Sequence, residues 1–460
     1  MELGGSSAVP LPLLKLKDNL MKVLWLCNFI LPKAAADLGI EGIPKEGWVE
    51  GLMDAIKGSG SESDLTLGIA FPVSEEHDGK RGELFETPGF KASYYCFYED
   101  MLHPEKYDAA LEQRMNRILD EFRPDVVHVF GTEYPHTLAM ARAATTRDAH
   151  YHPGRERMLI TFQGVCAAIA GDYLSSLPDK VVSSRTFRDL IRKDSIKDQH
   201  EKFRKRAVNE LEALKLSGHI GGRTAFDKKW AGRLAPEASY HYVGEVMRGL
   251  FYEPVPSDVK RDENVIFVAG GDYTIKGFHY LLAALKDIRW PELKIRVAGQ
   301  DLVDKPKYKI CGYGKYLSEM IEKCGLEGRI EFLGRISAEK MRDEYLRCGI
   351  FICPSAVENS PNSIVEASLM GAPVIASRVG GIPDIIEDKK ECILFDCSAK
   401  KPIEDNAANL KKAIETVKGD YKEALERAKK ARERMLKDHA PVTVAGQMLG
   451  IYEVINKYEK

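Results

Sequence analysis

The chain has 460 residues, of which 44% are hydrophobic, with 67 Lys and Arg against 69 Asp and Glu. A net charge of −2 provides no overall basic field to recruit nucleic acid or anionic lipid, and no apolar run reaches the ~20 residues that span a bilayer. Nine cysteines without a C-x-x-C pair argue against a disulfide framework and against a structural zinc site. The composition predicts a cytoplasmic, multidomain globular protein that needs no metal.

The first half of the chain alternates strand-like and helix-like segments after a predicted flexible leader at residues 1–20. We predict strands at residues 22–28, 64–71, 91–97, 125–130, 158–163 and 219–222. A loop that ends at Gly47 precedes a helix predicted over residues 48–57. This alternation, with apolar runs that suit strands buried on both faces, is typical of a parallel α/β domain.

A second alternating series follows a predicted linker at residues 254–257. Its strands are predicted at residues 264–269, 293–298, 329–333, 349–353 and 373–376, with helices over 277–288 and 338–348 and a helical tail from 402 to 460. We therefore predict two Rossmann-like domains, residues 21–254 and 255–435, that face a cleft. A last helix, residues 436–460, is predicted to cross back to the first domain.

The segment after the predicted strand at 349–353 carries the strongest chemical signal. A helix is predicted to begin at Pro361, capped by Ser360, so that the free N–H groups around Asn362 and Ser363 face the cleft. A helix start at the carboxyl end of a parallel strand is a site for phosphate. Two carboxylates flank it, Glu358 on the loop and Glu366 on the helix, and they can reach sugars on opposite sides of a diphosphate.

This Glu358-x7-Glu366 pair, followed by the Gly371-Ala-Pro-Val-Ile-Ala-Ser-Arg-Val-Gly-Gly381 stretch, resembles the donor-binding core of the family 4 (group 1) retaining glycosyltransferases. The resemblance implies the GT-B fold and transfer of a sugar from a UDP- or GDP-sugar, without a cofactor, to a saccharide or lipid-linked saccharide, as in polysaccharide synthesis. It implies that Glu358 stabilises oxocarbenium-like charge at the donor sugar and that Glu366 accepts hydrogen bonds from the ribose. The leaving phosphate then takes the proton of the incoming hydroxyl.

By the same resemblance, Lys276 neutralises the departing diphosphate beside a donor loop that includes Gly270. The chain departs from the family at Gly271, where an Arg usually precedes this Lys by five positions. Arg223 and Arg335, each after a predicted strand, are the candidates for the missing cation or for contacts to the nucleotide. The alternative is that each is an ordinary surface arginine.

The acceptor side is predicted in the first domain. Gly47 lies where related enzymes place a glycine against the donor phosphates and the acceptor. The candidate acceptor contacts are His128, Glu133, His136 and Gln163, at or after predicted strands. The alternatives are a core position for His128, because Phe130 replaces the second histidine of many family members, and helix capping for Glu133 and His136.

Residues 185–206 hold nine Lys or Arg against four acids, with apolar residues interspersed. This pattern favours a helix that rests on an anionic membrane and brings the site to a lipid-linked acceptor. A solvated basic surface is the alternative.

Three other functions are alternatives to sugar transfer. A nucleotide-sugar epimerase would share the two-domain fold but needs an acid/base set that is not evident in the sequence. A nicotinamide-dependent dehydrogenase needs a Gly-x-Gly-x-x-Gly turn, which neither domain supplies. A non-catalytic sugar-binding homologue stays open because of Gly271.

Overall fold

The protein is described by a computed structural model over residues 21–40, 47–58, 65–87, 90–146 and 150–457. Within these residues the chain forms two α/β domains, each built on one sheet. The two-domain α/β fold predicted from the sequence is thus confirmed. The predicted leader and most of the loop before Gly47 lie outside the described residues.

The sheet of the first domain has eight strands in the order β3-β4-β2-β1-β5-β6-β7-β8. They are β1 (Met21–Leu26), β2 (Leu65–Val73), β3 (Arg81–Thr87), β4 (Phe90–Tyr98), β5 (Val126–Phe130), β6 (Met158–Thr161), β7 (His219–Gly222) and β8 (Ser239–Tyr242). All neighbours are parallel except β3 and β4, which are antiparallel. Parallel pairing brings the carboxyl ends of β5, β6 and β7 to one edge of the sheet, where ligands of such folds bind.

The sheet of the second domain has six parallel strands in the order β11-β10-β9-β12-β13-β14. They are β9 (Asp262–Ala269), β10 (Lys294–Ala298), β11 (Ile330–Gly334), β12 (Cys348–Cys353), β13 (Val374–Ser377) and β14 (Ile393–Phe395). β9 and β12 are neighbours, although β10 and β11 lie between them in the chain. The loops after these two strands diverge at this switch point and open a crevice.

Helices cover the faces of both sheets, as a parallel sheet requires. They are α1 (Pro32–Leu38), α2 (Gly47–Gly58), α3 (Ala110–Phe122), α4 (Pro135–Thr145), α5 (Cys166–Asp172), α6 (Asp179–Ser183), α7 (Phe187–Arg192), α8 (Ile196–Lys215), α9 (Ala225–Leu234), α10 (Phe278–Leu285), α11 (Gly312–Lys323), α12 (Ala338–Arg347), α13 (Asn362–Leu369), α14 (Ile382–Ile385), α15 (Ile403–Gly419), α16 (Tyr421–Asp438) and α17 (Pro441–Asn456). None of the described helices is both long enough and apolar enough to cross a membrane.

The three tail helices divide between the domains. α15 and α16 pack on the second domain, whereas buried residues of α17 join the core of the first domain together with α2. The Tyr452 hydroxyl on α17 accepts a hydrogen bond from Trp25 Nε1 at 2.8 Å and lies 2.7 Å from His128 Nδ1. The last helix therefore completes the interior of the first domain.

Candidate functional site

The central feature of the crevice is an ion pair between Lys276 and Glu358. Lys276 ends a short turn after β9 and Glu358 lies in the loop after β12, so the switch point brings them together. The Lys276 Nζ atom lies 2.5 Å from Glu358 Oε1, which also accepts a hydrogen bond from Ser355 Oγ at 2.8 Å. Burial lowers the pKa of Lys276, but the Glu358 carboxylate outweighs burial, so the pKa lies above its ordinary value and the ammonium group stays charged.

Two glycines fix the loops that carry this pair. Gly277 has φ +67°, and a Cβ at this position would overlap the carbonyl oxygen of Pro354. Gly380 has φ +53°, and a Cβ there would overlap the carbonyl oxygen of Glu358. Because only glycine tolerates both the conformation and the close approach, the backbone around Lys276 and Glu358 is tightly defined.

The helix start next to Glu358 differs in detail from the prediction. α13 begins at Asn362, so Pro361 is the cap residue and not the first helical residue. The cap predicted at Ser360 is wrong, because no side chain of the described residues accepts a hydrogen bond at this helix start. The N–H groups at Asn362 and Ser363 are thereby left for a ligand, which suits a site for an anion.

Glu366, on α13, is held by residues that the sequence interpretation missed. Its Oε1 atom accepts a hydrogen bond from Arg248 Nη2 at 2.7 Å, and the Tyr345 hydroxyl lies 3.3 Å from Oε2. Burial raises the pKa of Glu366 and Arg248 opposes that rise. Arg248 lies in the segment between the domains and belongs to no recognisable motif.

Arg223 follows β7 and is held in a buried polar cluster between the domains. Its guanidinium forms an ion pair with Glu245, and its backbone N–H donates to Asp227 Oδ2 at 2.8 Å. Glu245 in turn accepts a hydrogen bond from Asn362 Nδ2 at 3.1 Å. The structure thus connects Arg223 to the start of α13 through one carboxylate, whereas its Nε atom finds no hydrogen-bond partner among the described residues.

The backbone at Gly271 leaves little room for a side chain. A Cβ on Gly271 would lie 3.0 Å from Val297 Cγ1 and 3.5 Å from the Phe278 ring. A side chain at this position would therefore enter the packing between β10 and α10 instead of the crevice. The preceding Gly270 has φ +96°, which turns the chain at the end of β9.

Arg335, directly after β11, is exposed and stands apart from the Lys276–Glu358 pair. It lines a groove between the two domains together with Asp272 and Tyr273 from the donor loop and Arg188 and Asp194 from the first domain. At this position Arg335 can contact an outer part of a ligand, but not the part of the ligand that lies next to Lys276.

On the side of the first domain, Gln163 and Arg223 line a small cavity with the Trp48 and Phe130 rings. Gly47 is the first residue of α2, and the Trp48 ring packs edge-on against Phe130 with ring centroids 5.4 Å apart. Phe130, which replaces the histidine of many family members, therefore forms an aromatic wall of this cavity.

The Glu133 carboxylate lies against the backbone at the ends of β5 and β6. Its Oε2 atom accepts a hydrogen bond from the Thr132 N–H at 2.8 Å. A Cβ on Gly131 or Gly164 would collide with or crowd this carboxylate, so both glycines make room for it. Burial raises the pKa of Glu133, and nearby Arg206 opposes the rise.

The two predicted acceptor histidines are buried in the interior. The His128 ring nitrogens contact the Tyr452 hydroxyl at 2.7 Å and Thr161 Oγ1 at 3.1 Å, which favours the core alternative. His136 lies within α4, and its Nδ1 atom is 2.5 Å from Glu99 Oε2. Because both rings have their partners inside the domain, the structure favours an interior role for these two residues over contact with an acceptor. Among the described residues, no group of His, Cys, Asp or Glu is arranged to hold a metal ion.

A buried carboxyl group next to Glu133 makes stability depend on pH. Glu210 accepts hydrogen bonds from the Thr132 hydroxyl at 2.5 Å and from the N–H groups of Cys166 and Ala167, yet burial raises its pKa to about 7. A folded-state pKa above that of the unfolded chain stabilises the fold at low pH, and this contribution is lost as pH rises through about 7.

We therefore expect the free energy of unfolding of the wild type to fall relative to that of Glu210→Gln between about pH 5 and pH 8. Urea titrations across this range measure the effect, with Glu426→Gln on the exposed face of α16 as the matched control. If the free energy of unfolding changes equally with pH in Glu210→Gln and in the wild type, groups other than Glu210 cause the pH dependence.

The comparisons with known proteins agree with this geometry. Residues 253–434 match the family described as glycosyl transferases group 1. The gpi3 subunit of phosphatidylinositol N-acetylglucosaminyltransferase from Schizosaccharomyces pombe is 32% identical over 137 residues, which are 29% of this chain and 28% of that protein. The chain thus aligns with less than a third of the length of this curated relative.

Solved structures resemble the chain over nearly its whole length. Sucrose-phosphate synthase from Thermosynechococcus elongatus has a TM-score of 0.67 at 14% identity and covers 95% of this chain and 99% of its own. HepE from Anabaena, solved with UDP and glucose, has a TM-score of 0.60 at 17% identity and covers 94% of this chain and 100% of its own. At these identities the likeness establishes the GT-B fold.

Proposed function

We propose, from the premise that residues 253–434 belong to the group 1 glycosyltransferases, that this chain transfers a sugar from a nucleoside diphosphate sugar to a saccharide hydroxyl with retention of configuration. The observation that carries the proposal is the pairing of Lys276 with Glu358 beside the uncapped start of α13. A cation and free helix N–H groups are the groups that would stabilise a departing diphosphate.

Each group has a role in this reaction. Lys276 and the N–H groups at Asn362 and Ser363 neutralise the diphosphate as the bond to the anomeric carbon breaks. Glu358 stabilises the positive charge that develops on the sugar, and a leaving phosphate oxygen takes the proton of the acceptor hydroxyl. Glu366 accepts hydrogen bonds from the ribose once Arg248 shares its carboxylate with the ligand.

Related enzymes usually have an arginine where this chain has Gly271. We assign the role of that positive charge to Arg223. Arg223 is linked to Asn362 through Glu245, and its Nε atom has no partner among the described residues. Arg335, which lies farther out in the groove, is assigned to the nucleotide. Gly270 and Gly47 let the backbone approach the phosphates from either domain.

For the acceptor we retain Glu133 and Gln163, which lie at the ends of neighbouring strands of the first domain. The relative from Schizosaccharomyces pombe is named for transfer to phosphatidylinositol, which supports a lipid-linked acceptor. HepE was solved with UDP, so UDP-sugars are the first donors to test, ahead of GDP-sugars.

The test is release of nucleoside diphosphate from a panel of UDP- and GDP-sugars. We expect one donor to support release and Glu358→Ala to slow it by about 100- to 1,000-fold, with Glu426→Ala unchanged as the matched control. Donor binding without release would identify a sugar-binding homologue instead. Conversion of the nucleotide sugar without release of diphosphate would identify an epimerase.

A further inference from the structure

Among the described residues of the first domain, three neighbouring apolar side chains of α7 are exposed. The side chains of Phe187, Leu190 and Ile191 are 63%, 57% and 66% exposed. Their spacing of three and four residues puts them on one face of the helix. The opposite face carries Asp189, which is fully buried and accepts a hydrogen bond from the Gly312 N–H of α11 at 2.9 Å. α7 is therefore fixed on one side and leaves an apolar face uncovered on the other.

The cations around this face are left without acidic partners. All four acids of residues 185–206 are occupied by neighbouring cations: Asp189 and Asp194 by Arg188, Asp198 by Arg185, and Glu201 by Arg204. Within the described part of the chain, Arg192, Lys193 and Lys197 form no ion pair and are exposed. These three cations lie at the end of α7 and the start of α8. We call Phe187, Leu190, Ile191, Arg192, Lys193 and the following Lys197 the α7 surface.

The second domain adds charge of the same sign nearby. Its exposed loop at residues 304–309 holds Lys305, Lys307 and Lys309 against Asp304, and the chain then leads to Gly312, which contacts α7. The Tyr308 side chain is 60% exposed, with Lys309 over its ring. Both domains therefore contribute lysines and exposed apolar or aromatic groups around the junction between Asp189 and α11.

We propose that the α7 surface docks on an anionic lipid bilayer. Exposed apolar side chains on one helix face, flanked by unpaired cations, match the boundary between acyl chains and phosphate headgroups. A nucleic acid would satisfy the cations but would leave the apolar side chains in water. Because Asp189 ties α7 to α11, a bilayer on this surface also holds the second domain at a defined orientation. The role of the bilayer in presenting a lipid-linked acceptor rests on the proposed function. The docking itself is measured without turnover and is therefore tested separately.

Flotation with vesicles tests the docking on the full chain. Vesicles of phosphatidylcholine with and without phosphatidylglycerol are the probes, at low and high salt. We expect binding to the anionic vesicles only, weakened by salt because the cations are screened. Leu190→Ser/Ile191→Ser and Arg192→Glu/Lys197→Glu should each lower the partition coefficient by about tenfold or more. The matched controls are Val208→Ser, an exposed apolar residue of α8, and Lys228→Glu/Lys229→Glu on α9.

Two results of the flotation assay would overturn the docking proposal. Failure of the wild type to bind anionic vesicles at low salt would overturn the proposal, as would binding that both α7 variants retain. Binding to single-stranded RNA but not to vesicles would show that the surface serves another partner and would also overturn it. Nucleoside diphosphate release without vesicles should be the same in the wild type and the α7 variants, so a failure of docking is distinguishable from a failure of the proposed reaction.

Discussion

Replacement of Lys276 by Ala is expected to lower the rate of nucleoside diphosphate release by about 100- to 1,000-fold. The ammonium group lies 2.5 Å from Glu358 in the crevice, and its side chain is only partly exposed to solvent. Its charge stabilises the departing diphosphate more than the bound donor, because negative charge accumulates on the leaving oxygen as the bond breaks. The loss should therefore fall mainly on kcat, measured as initial rates over a range of donor concentrations.

The matched control is Lys315→Ala, an exposed lysine near the start of α11, which should leave the rate unchanged. Arg223→Ala addresses the second cation in the same assay and should lower the rate by a smaller factor. An unchanged rate and donor affinity in Arg223→Ala would remove this residue from the site, and an unchanged rate in Lys276→Ala would contradict the proposed role of the ion pair.

Replacement of Gly380 by Ala is expected to have the second large effect. The added methyl group would overlap the Glu358 carbonyl oxygen, and the residue would keep a left-handed φ of +53°. Because the obstacle is backbone and not a flexible side chain, the loop has to move, and we expect a loss of about 2–4 kcal/mol in the free energy of unfolding. The displaced Glu358 would also reduce donor turnover.

Guanidinium titration and the release assay, performed on the same preparation, measure both effects. Gly419→Ala is the matched control, because nothing lies within 4 Å of a Cβ at the end of α15 and its φ is not left-handed. Wild-type stability in Gly380→Ala would show that the Glu358 loop is less constrained than the structure indicates.

The sequence predicts the strands that are buried in the middle of each sheet. β1, β2, β5, β9, β10, β12 and β13 contain apolar runs, which parallel strands covered on both faces require. β3 was not predicted because it lies at the sheet edge with alternating charged residues such as Arg81 and Glu83. β8 is a short polar edge strand and β14 has three residues, so neither carries a signal of its own.

The residues of the candidate site also divide into those that the sequence predicts and those that it does not. Lys276, Glu358 and Glu366 stand in local motifs, so their positions can be predicted from spacing along the chain. Arg248 contacts Glu366 from 118 positions away, and Glu245 meets Arg223 and Asn362 from a connecting segment without a motif. Such partners depend on how two domains meet, which no short stretch of sequence encodes.

The position of α17 has a consequence for how the chain reaches its native state. Val444, Met448 and Tyr452 are buried in the core of the first domain, although almost 200 residues of the second domain separate them from it in sequence. During synthesis, the first domain therefore exposes the apolar surface around Trp25 until the second domain has emerged and α17 can dock. The first domain therefore cannot complete its core until the second domain has been synthesised.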